Sequence, residues 1–128
     1  MWLLRALPPD VPLTVATKSL LVADEVAERA TTKLIVAGGA YQAWARSLMG
    51  PSAVASIRLM CADFCFLSAS GVHGLSCFQP YQENVEVKRA MLESADERVL
   101  VLDHTKLHRR ALFEFARLDK FERVFIDE

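Results

Sequence analysis

Five short apolar runs recur along the chain: Leu13 to Ala16, Leu34 to Ala37, Phe64 to Leu67, Val99 to Leu102 and Val124 to Ile126. Apart from Thr14 they are continuously apolar rather than alternating, and several are rich in Val, Ile and Phe. Strands buried on both faces read this way, and that burial is the habit of parallel sheets covered by helices. The runs at Leu34, Phe64 and Val99 are expected to be the most buried strands.

Between the runs lie segments of helical period. Leu20 to Ala30 places Val22, Ala23, Val26, Ala27 and Ala30 on one face, with Asp24, Glu25 and Glu28 off it. Pro51 opens a second helix at a position that tolerates proline, and Val54, Ile57 and Cys61 make its apolar stripe. Glu83 to Ala95 is the third, with Val87, Met91 and Ala95 on one face. Glu83 and Glu86 near its start suit the positive end of the helix dipole. Trp2 to Leu7 reads as the last turns of a helix stopped by Pro8-Pro9. Phe113 and Phe115 suggest packing on two sides or an interface edge. Strand and helix in alternation predict an α/β domain: a mainly parallel sheet with helices on both faces and right-handed crossovers.

Composition narrows the function class. The 128 residues fit one domain, and no repeat, low-complexity tract or linker interrupts them. A formal net charge of −1 argues against a dedicated nucleic-acid binder, which carries a basic excess. No apolar run approaches the roughly 20 residues that span a bilayer, so no membrane partner is expected. The opening residues are too short for a signal peptide and lack a basic n-region. Three Cys argue against a disulfide framework and favour a reducing, cytoplasmic setting.

In an open parallel sheet, ligands bind beyond the carboxyl ends of the strands. The residues there are Thr17-Lys18-Ser19, Gly38-Gly39, Ser68-Ala69-Ser70-Gly71, Asp103-His104-Thr105-Lys106 and Asp127-Glu128. Glycines allow close backbone approach, and hydroxyls and amide N–H groups hold phosphate oxygens. Lysines bring positive charge, and carboxylates bind sugar hydroxyls. Each segment alone also reads as an ordinary turn; five on one edge point to a pocket for a small polyhydroxylated anion. Glu86 and Lys88, two apart on a helix, point about 200° from each other and do not pair. Lys88 could reach an anion near the helix start, or the pair could belong to a solvated face.

Other patterns carry less. Cys61 and Cys65, and His104 and His108, have spacings seen among zinc ligands. With Cys65 in a buried strand and no Cys-x-x-Cys, core thiols are the better reading for these and Cys77, and His73 joins no set. Met49, Met60 and Met91 read as core fillers. Arg109-Arg110 with Lys106 and His108 form a small basic cluster that suits phosphate or a solvated face. No metal or cofactor is expected.

The ordered motifs Leu13-Thr14-Val15-Ala16-Thr17-Lys18-Ser19-Leu20, Gly38-Gly39, Leu48-Met49-Gly50-Pro51, Ala62-Asp63 to Ser70-Gly71, Glu86-Val87-Lys88-Arg89-Ala90-Met91 and Asp103-His104-Thr105-Lys106 carry a resemblance. From about Ala6 to the end, the chain resembles the C-terminal effector domain of DeoR-family transcriptional regulators. The resemblance implies a fold like ribose-5-phosphate isomerase and glucosamine-6-phosphate deaminase. It implies a domain that binds a phosphorylated sugar or related metabolite and so alters DNA binding by a helix-turn-helix domain. Family domains generally act as oligomers, so a homo-oligomer is expected.

Three departures from the family pattern follow. No helix-turn-helix is present in residues 1–128, so no direct DNA binding by this chain is expected. The family's first strand, with its Asp-x-Gly-Thr-Thr phosphate loop, is not in this sequence either; the residues read as a single effector-binding domain, N-terminally shortened. The family's usual Thr-Asn-Ser is Thr17-Lys18-Ser19 here.

Carried over residue by residue, the pocket implied by the resemblance comprises Thr17, Lys18, Ser19, Gly38, Gly39, Ser70, Gly71, Glu86, Lys88, Asp103 and Lys106. Anion contacts suit Lys106 and the Thr17 and Ser19 hydroxyls; Glu86 and Asp103 suit sugar hydroxyls. No catalytic residue is expected. The alternatives are an isomerase-like enzyme acting by proton transfer, for which Glu86, Asp103 and Lys106 are the only candidates, or an oligomerisation module without ligand.

Overall fold

The computed structural model describes residues 5–8 and 10–127. The chain divides into two compact units, residues 1–56 and 57–128. In the first, β1 (Leu13–Thr17) leads into α1 (Leu20–Ala27) and returns as β2 (Thr32–Val36). A hairpin of β3 (Ala40–Gln42) and β4 (Ser47–Met49) follows, and α2 (Pro51–Arg58) begins at the proline. In the second, β5 (Ala62–Leu67) precedes β6 (Gly71–His73), β7 (Ser76–Gln79) and α3 (Gln82–Glu93). Then come β8 (Ala95–Leu102), β9 (Phe113–Arg117) and β10 (Arg123–Ile126), with 3-10 turns at His104–Lys106 and Leu118–Lys120.

All five apolar runs form strands, and every pairing among them is parallel. β1 pairs with β2, Val15 opposite Leu34. β8 lies between β10 and β5, with Val124 and Leu67 both opposite Leu100. The helices between them follow from capping and burial. Ser19 caps α1, its hydroxyl accepting from the Val22 N–H at 3.3 Å, and α1 buries Ala23 and Val26. Asp24 lies exposed on its polar side as the period predicts, but the helix ends at Ala27 with Glu28 as its C-cap, so Ala30 falls beyond it and Ala27 and Ala30 are exposed.

The core of the second unit joins Cys65, Leu67, Leu100 and Leu102 of the parallel strands to Val85 and Leu92 of α3. Cys77, Phe115 and Phe121 complete it. The first unit buries smaller side chains: Ala23, Val26, Ala37 and Ala53, with Met49 the one long residue among them.

Several details differ from the sequence reading. Of the three runs expected to be most buried, only the one at Val99 is: Val99, Leu100 and Leu102 are buried, whereas the Leu34 run is half-buried. On β5, Cys65 and Leu67 are buried while Phe64 and Phe66 stay 55% and 48% exposed. The cause is position in the sheet: β5 pairs on one side only, and one of its faces is uncovered. Phe64 and Phe66 stack on each other with ring centroids 6.2 Å apart.

The stripe of α2 is Ala53 and Ile57; the helix ends at Arg58, so Cys61 falls beyond it and is exposed. Helix α3 ends at Glu93, leaving Ala95 to open β8. Phe113 and Phe115 lie on a strand rather than on two sides, and residues two apart on a strand share a face. Phe115 is buried in the core and Phe113 packs against it. The antiparallel sheet β6-β7-β9 and the β3-β4 hairpin are additions to the parallel framework. Of the expected opening helix, Trp2 to Leu7, Arg5 and Ala6 are helical, Leu7 is a bend, and Trp2 to Leu4 lie outside the described residues.

Candidate functional site

In the first unit the fold gathers two of the sequence-predicted segments. Parallel pairing sets Thr17 opposite Val36, so the turns after β1 and β2 leave the sheet at one edge. The Ala37 N–H donates to the Thr17 carbonyl at 2.9 Å, tying Thr17-Lys18-Ser19 to the start of Gly38-Gly39. Thr17 and Ser19 are half-buried and already hold local structure. The Thr17 hydroxyl accepts from the Ser19 N–H at 3.0 Å, and Ser19 caps α1. Each keeps its own O–H hydrogen for another acceptor. Gly39 has φ +139°, and a Cβ there would sit 2.7 Å from both the Ala53 Cβ and the Met49 carbonyl oxygen. Only glycine fits. Gly38 meets nothing within 4 Å and lies open.

Lys18 folds inward. Its Nζ donates to the Ser47 hydroxyl at 3.1 Å, and that hydroxyl donates to the Lys18 carbonyl at 3.1 Å. Ser47 is buried, 2% exposed. Burial pushes the Lys18 ammonium below its ordinary range.

In the second unit β5 and β8 likewise end at one edge, with Leu67 opposite Leu100. Lys88, 5% exposed, reaches back from α3 and donates to the Ser68 carbonyl at 2.5 Å. Its ammonium lies 5.0 Å from the centre of the Phe115 ring. Ser70 donates to Gln79 Oε1 at 3.0 Å, and the Asn84 amide donates to the same oxygen at 3.3 Å. Gly71 is buried; a Cβ there would meet the Arg109 carbonyl oxygen at 2.5 Å.

Asp103 caps the 3-10 turn, accepting from the Thr105 N–H at 2.9 Å and from the Thr105 hydroxyl. The hydroxyl bond, chiefly, holds its carboxyl below the usual range, aided by the backbone bond and by the charges of Lys106 and His104. Lys106 Nζ lies 3.9 Å from the other Asp103 oxygen. Asp127 joins this edge, its carboxylate accepting from the His104 N–H at 2.8 Å. Glu86 is exposed on α3 while Lys88 is buried, as their spacing predicts.

So Ser70, Gly71 and Lys88 gather around the end of β5, and Asp103 with Lys106 around the end of β8. Three residues absent from the sequence reading belong to these clusters: Ser47, Gln79 and Asn84. Gln79 is 4% exposed and Asn84 Oδ1 is buried without a partner. For Ser47 and Gln79 the signal was a polar residue at an inward strand position, visible only once Ser47–Met49 and Ser76–Gln79 are known to be strands; Asn84 lies on α3.

The basic pair Arg109-Arg110 is exposed. A recess on the second unit, lined by Arg89, Leu92, Arg98, Phe115 and Lys120, includes none of the predicted site residues. Cys65 and Cys77 are free thiols pushed up to about 11 by burial, which makes them inert at neutral pH. Among the described residues no three His, Cys, Asp or Glu side chains are placed to hold a metal, and no helix is long and apolar enough to cross a membrane.

Comparison with known proteins gives this geometry its context. The chain is 28% identical over 127 residues to the L-fucose operon activator of Haemophilus influenzae, covering 98% of this chain and 51% of that protein. It is 34% identical over 118 residues to an uncharacterized HTH-type transcriptional regulator, YgbI, of Escherichia coli, covering 91% of this chain and 46% of the relative. With the deoxyribose operon repressor of Escherichia coli it shares 27% identity over 129 residues, 98% of this chain and 50% of the relative. The chain thus spans about half the length of these curated relatives. The model of the DeoR C-terminal sensor domain matches residues 1–128. Because that match runs over the whole length of the sequence, this chain belongs to the DeoR C-terminal sensor domain family.

Proposed function

We propose that this chain is the effector-sensing part of a transcriptional regulator, binding a phosphorylated sugar or related metabolite. Binding would set how a helix-turn-helix domain, carried elsewhere in the full regulator, holds DNA. The observation that carries the reading is Lys88. It brings a positive charge to the carboxyl end of β5, where it donates to the Ser68 carbonyl, and that edge of a parallel sheet is where ligands bind. A positive charge there suits an anionic ligand. Lys106 offers a second charge at the end of β8.

The reading is of a sensor rather than an enzyme. Proton transfer needs a carboxylate held against the reacting atoms. Glu86 points to solvent, and Asp103 is engaged by Thr105. The names of the relatives, an operon activator and an operon repressor, favour the same side. A cytoplasmic setting accords with reduced thiols and with a regulator's work.

The proposal includes self-association. Strand register puts Phe64, Phe66 and Phe125 on one face of the sheet, all about half exposed. A second copy of the chain is the occupant that a regulator binding paired DNA half-sites needs. Light scattering should give a species larger than 14.3 kDa; a monomer at all concentrations contradicts it.

Ligand binding is tested by thermal shift. Sugar phosphates of four to six carbons should raise Tm in a saturable way, and the parent sugars should not. Equal shifts from phosphorylated and plain sugars, or none from either, would overturn the reading, and turnover of a phosphorylated sugar would favour the enzyme.

A further inference from the structure

Strand β10 lies at the edge of its sheet: among the described residues it hydrogen-bonds to β8 and to no other strand. Its residues are all exposed, Val124, Phe125 and Ile126 included. An open row of backbone N–H and C=O groups beside apolar side chains is a template for another strand. The register fixes which groups are open. The Asp127 N–H donates to the Leu102 carbonyl at 3.2 Å, in step with Ile126 opposite Leu102. Alternate residues of a strand turn their backbone groups to the same side. Those of Arg123, Phe125 and Asp127 therefore face β8, and those of Val124 and Ile126 face outward.

Resting on the self-association reading above, we propose that β10 pairs antiparallel with β10 of a second copy, about a two-fold axis at Phe125, and joins two copies of the β10-β8-β5 sheet into one. Outward groups must meet outward groups, which puts the axis on a residue rather than between two. With Phe125 on the axis, Val124 exchanges both backbone bonds with the partner's Ile126, and Ile126 with the partner's Val124. Arg123 then stands opposite the partner's Asp127, and Asp127 opposite the partner's Arg123. An axis on Val124 would set Arg123 against the partner's Phe125, and an axis on Ile126 would set Asp127 there.

Read in reverse, Arg123-Val124-Phe125-Ile126-Asp127 complements itself: cation, apolar, aromatic, apolar, anion. A charge on an edge strand guards against pairing where it meets its own sign. Opposite charges at the two ends select the antiparallel copy, in which each meets the other sign. Asp127 is free to do so, since its Oδ1 accepts from the His104 N–H at 2.8 Å and Oδ2 remains. Phe125 meets the partner's Phe125 as a non-hydrogen-bonded pair, with Cα atoms about 4.5 Å apart. The face that Phe125 shares with Phe64 and Phe66 then continues from one copy into the next.

The test is cysteine cross-linking of the whole chain with the exposed Cys61 removed as Cys61→Ser; Cys65 and Cys77 are buried. With oxidised glutathione, Phe125→Cys should form a disulfide-linked dimer, because a Cα separation of about 4.5 Å is within disulfide reach. Val124→Cys should not, because its two copies would lie roughly 8 Å apart. A second measurement leaves the apolar residues alone. Arg123→Asp by itself, and Asp127→Arg by itself, set like charges opposite each other at both ends. Each should weaken association about tenfold in sedimentation equilibrium, and an equimolar mixture of the two should associate as the parent does.

Cross-linking through Val124→Cys as efficient as through Phe125→Cys overturns the inference. So does a mixture that associates no better than its components, whatever the cysteines do. If light scattering of the parent shows a larger species while Phe125→Cys stays uncross-linked, association uses another surface and this inference alone fails. A parent that is monomeric at all concentrations removes the self-association reading with it.

Discussion

The two units each bury a lysine at the end of a parallel strand, and they support it differently. Lys88 sits in the larger core, with a carbonyl at its ammonium and the Phe115 ring beside it. Lys18 sits over a core of mostly alanine and valine and has a hydroxyl for a partner. The second unit therefore builds its lysine into the packing, so charge and stability reinforce each other. The first unit gives its lysine a hydroxyl acceptor while burial works against its charge.

The largest test of that contrast is in the cores. Leu100, fully buried at the centre of the second unit, should cost about 2–5 kcal/mol as Leu100→Ala by urea denaturation. Val26→Ala, in the first unit, removes two carbons and should cost about 1.5–2 kcal/mol. Equal losses would mean that the units do not differ in core strength.

Next come the lysines themselves. Lys88→Met removes a charge-assisted bond and leaves the Ser68 carbonyl short of a donor, so stability should fall by about 1.5–3 kcal/mol. Lys18→Met should not destabilise the ligand-free chain, and at neutral pH should raise its Tm. The sign follows from proton linkage. Burial lowers the Lys18 pKa in the folded state, so the unfolded chain binds the proton more tightly. Stability contributed by this group rises with pH from its depressed folded value up to 10.5, and the variant should lack that rise. A Lys18→Met chain clearly less stable than the parent would make Lys18 a structural strap.

The same contrast can be followed in affinity at the end of β8. Lys106 pairs loosely with Asp103, which leaves its ammonium available. Lys106→Ala should weaken sugar-phosphate binding about tenfold to a hundredfold while leaving urea stability nearly unchanged. A large stability loss with unaltered affinity would reverse that assignment.

The smallest effect concerns Asp103. Its carboxyl is held low by Thr105, so its contribution to stability is present above about pH 4 and lost as pH falls through the lowered folded value. The difference between the parent and Asp103→Ala, measured by thermal melts, should be flat near neutrality and shrink toward pH 3. A difference that grows on acidification would contradict the capping role.

The parallel framework was legible because each of its strands is a run of apolar residues long enough to stand out, and Ser19 and Pro51 mark helix starts by their own chemistry. The hairpins were not. Ala40–Gln42, Ser47–Met49 and Gly71–His73 are three residues each, too short for a period to register. Ser76–Gln79 is only one residue longer. Without these strands the inward positions of Ser47 and Gln79 could not be seen, and with them went the partners of Lys18 and Ser70. Edge placement was equally hidden: nothing in Phe64-Cys65-Phe66 says that one face goes uncovered. The residues after the strands were legible as chemistry, yet Asp103 shows why type alone is not role, since its carboxylate serves a local turn.

Sensing of a phosphorylated sugar is proposed to run through the cations at the strand ends. Calorimetric titration of the parent chain and of Lys88→Met with the sugar phosphate giving the largest thermal shift tests it most directly. The account predicts a saturable, one-site isotherm for the parent and a loss of about tenfold or more in affinity for a Lys88→Met chain shown to be folded by circular dichroism. Undiminished affinity in that folded variant would contradict it.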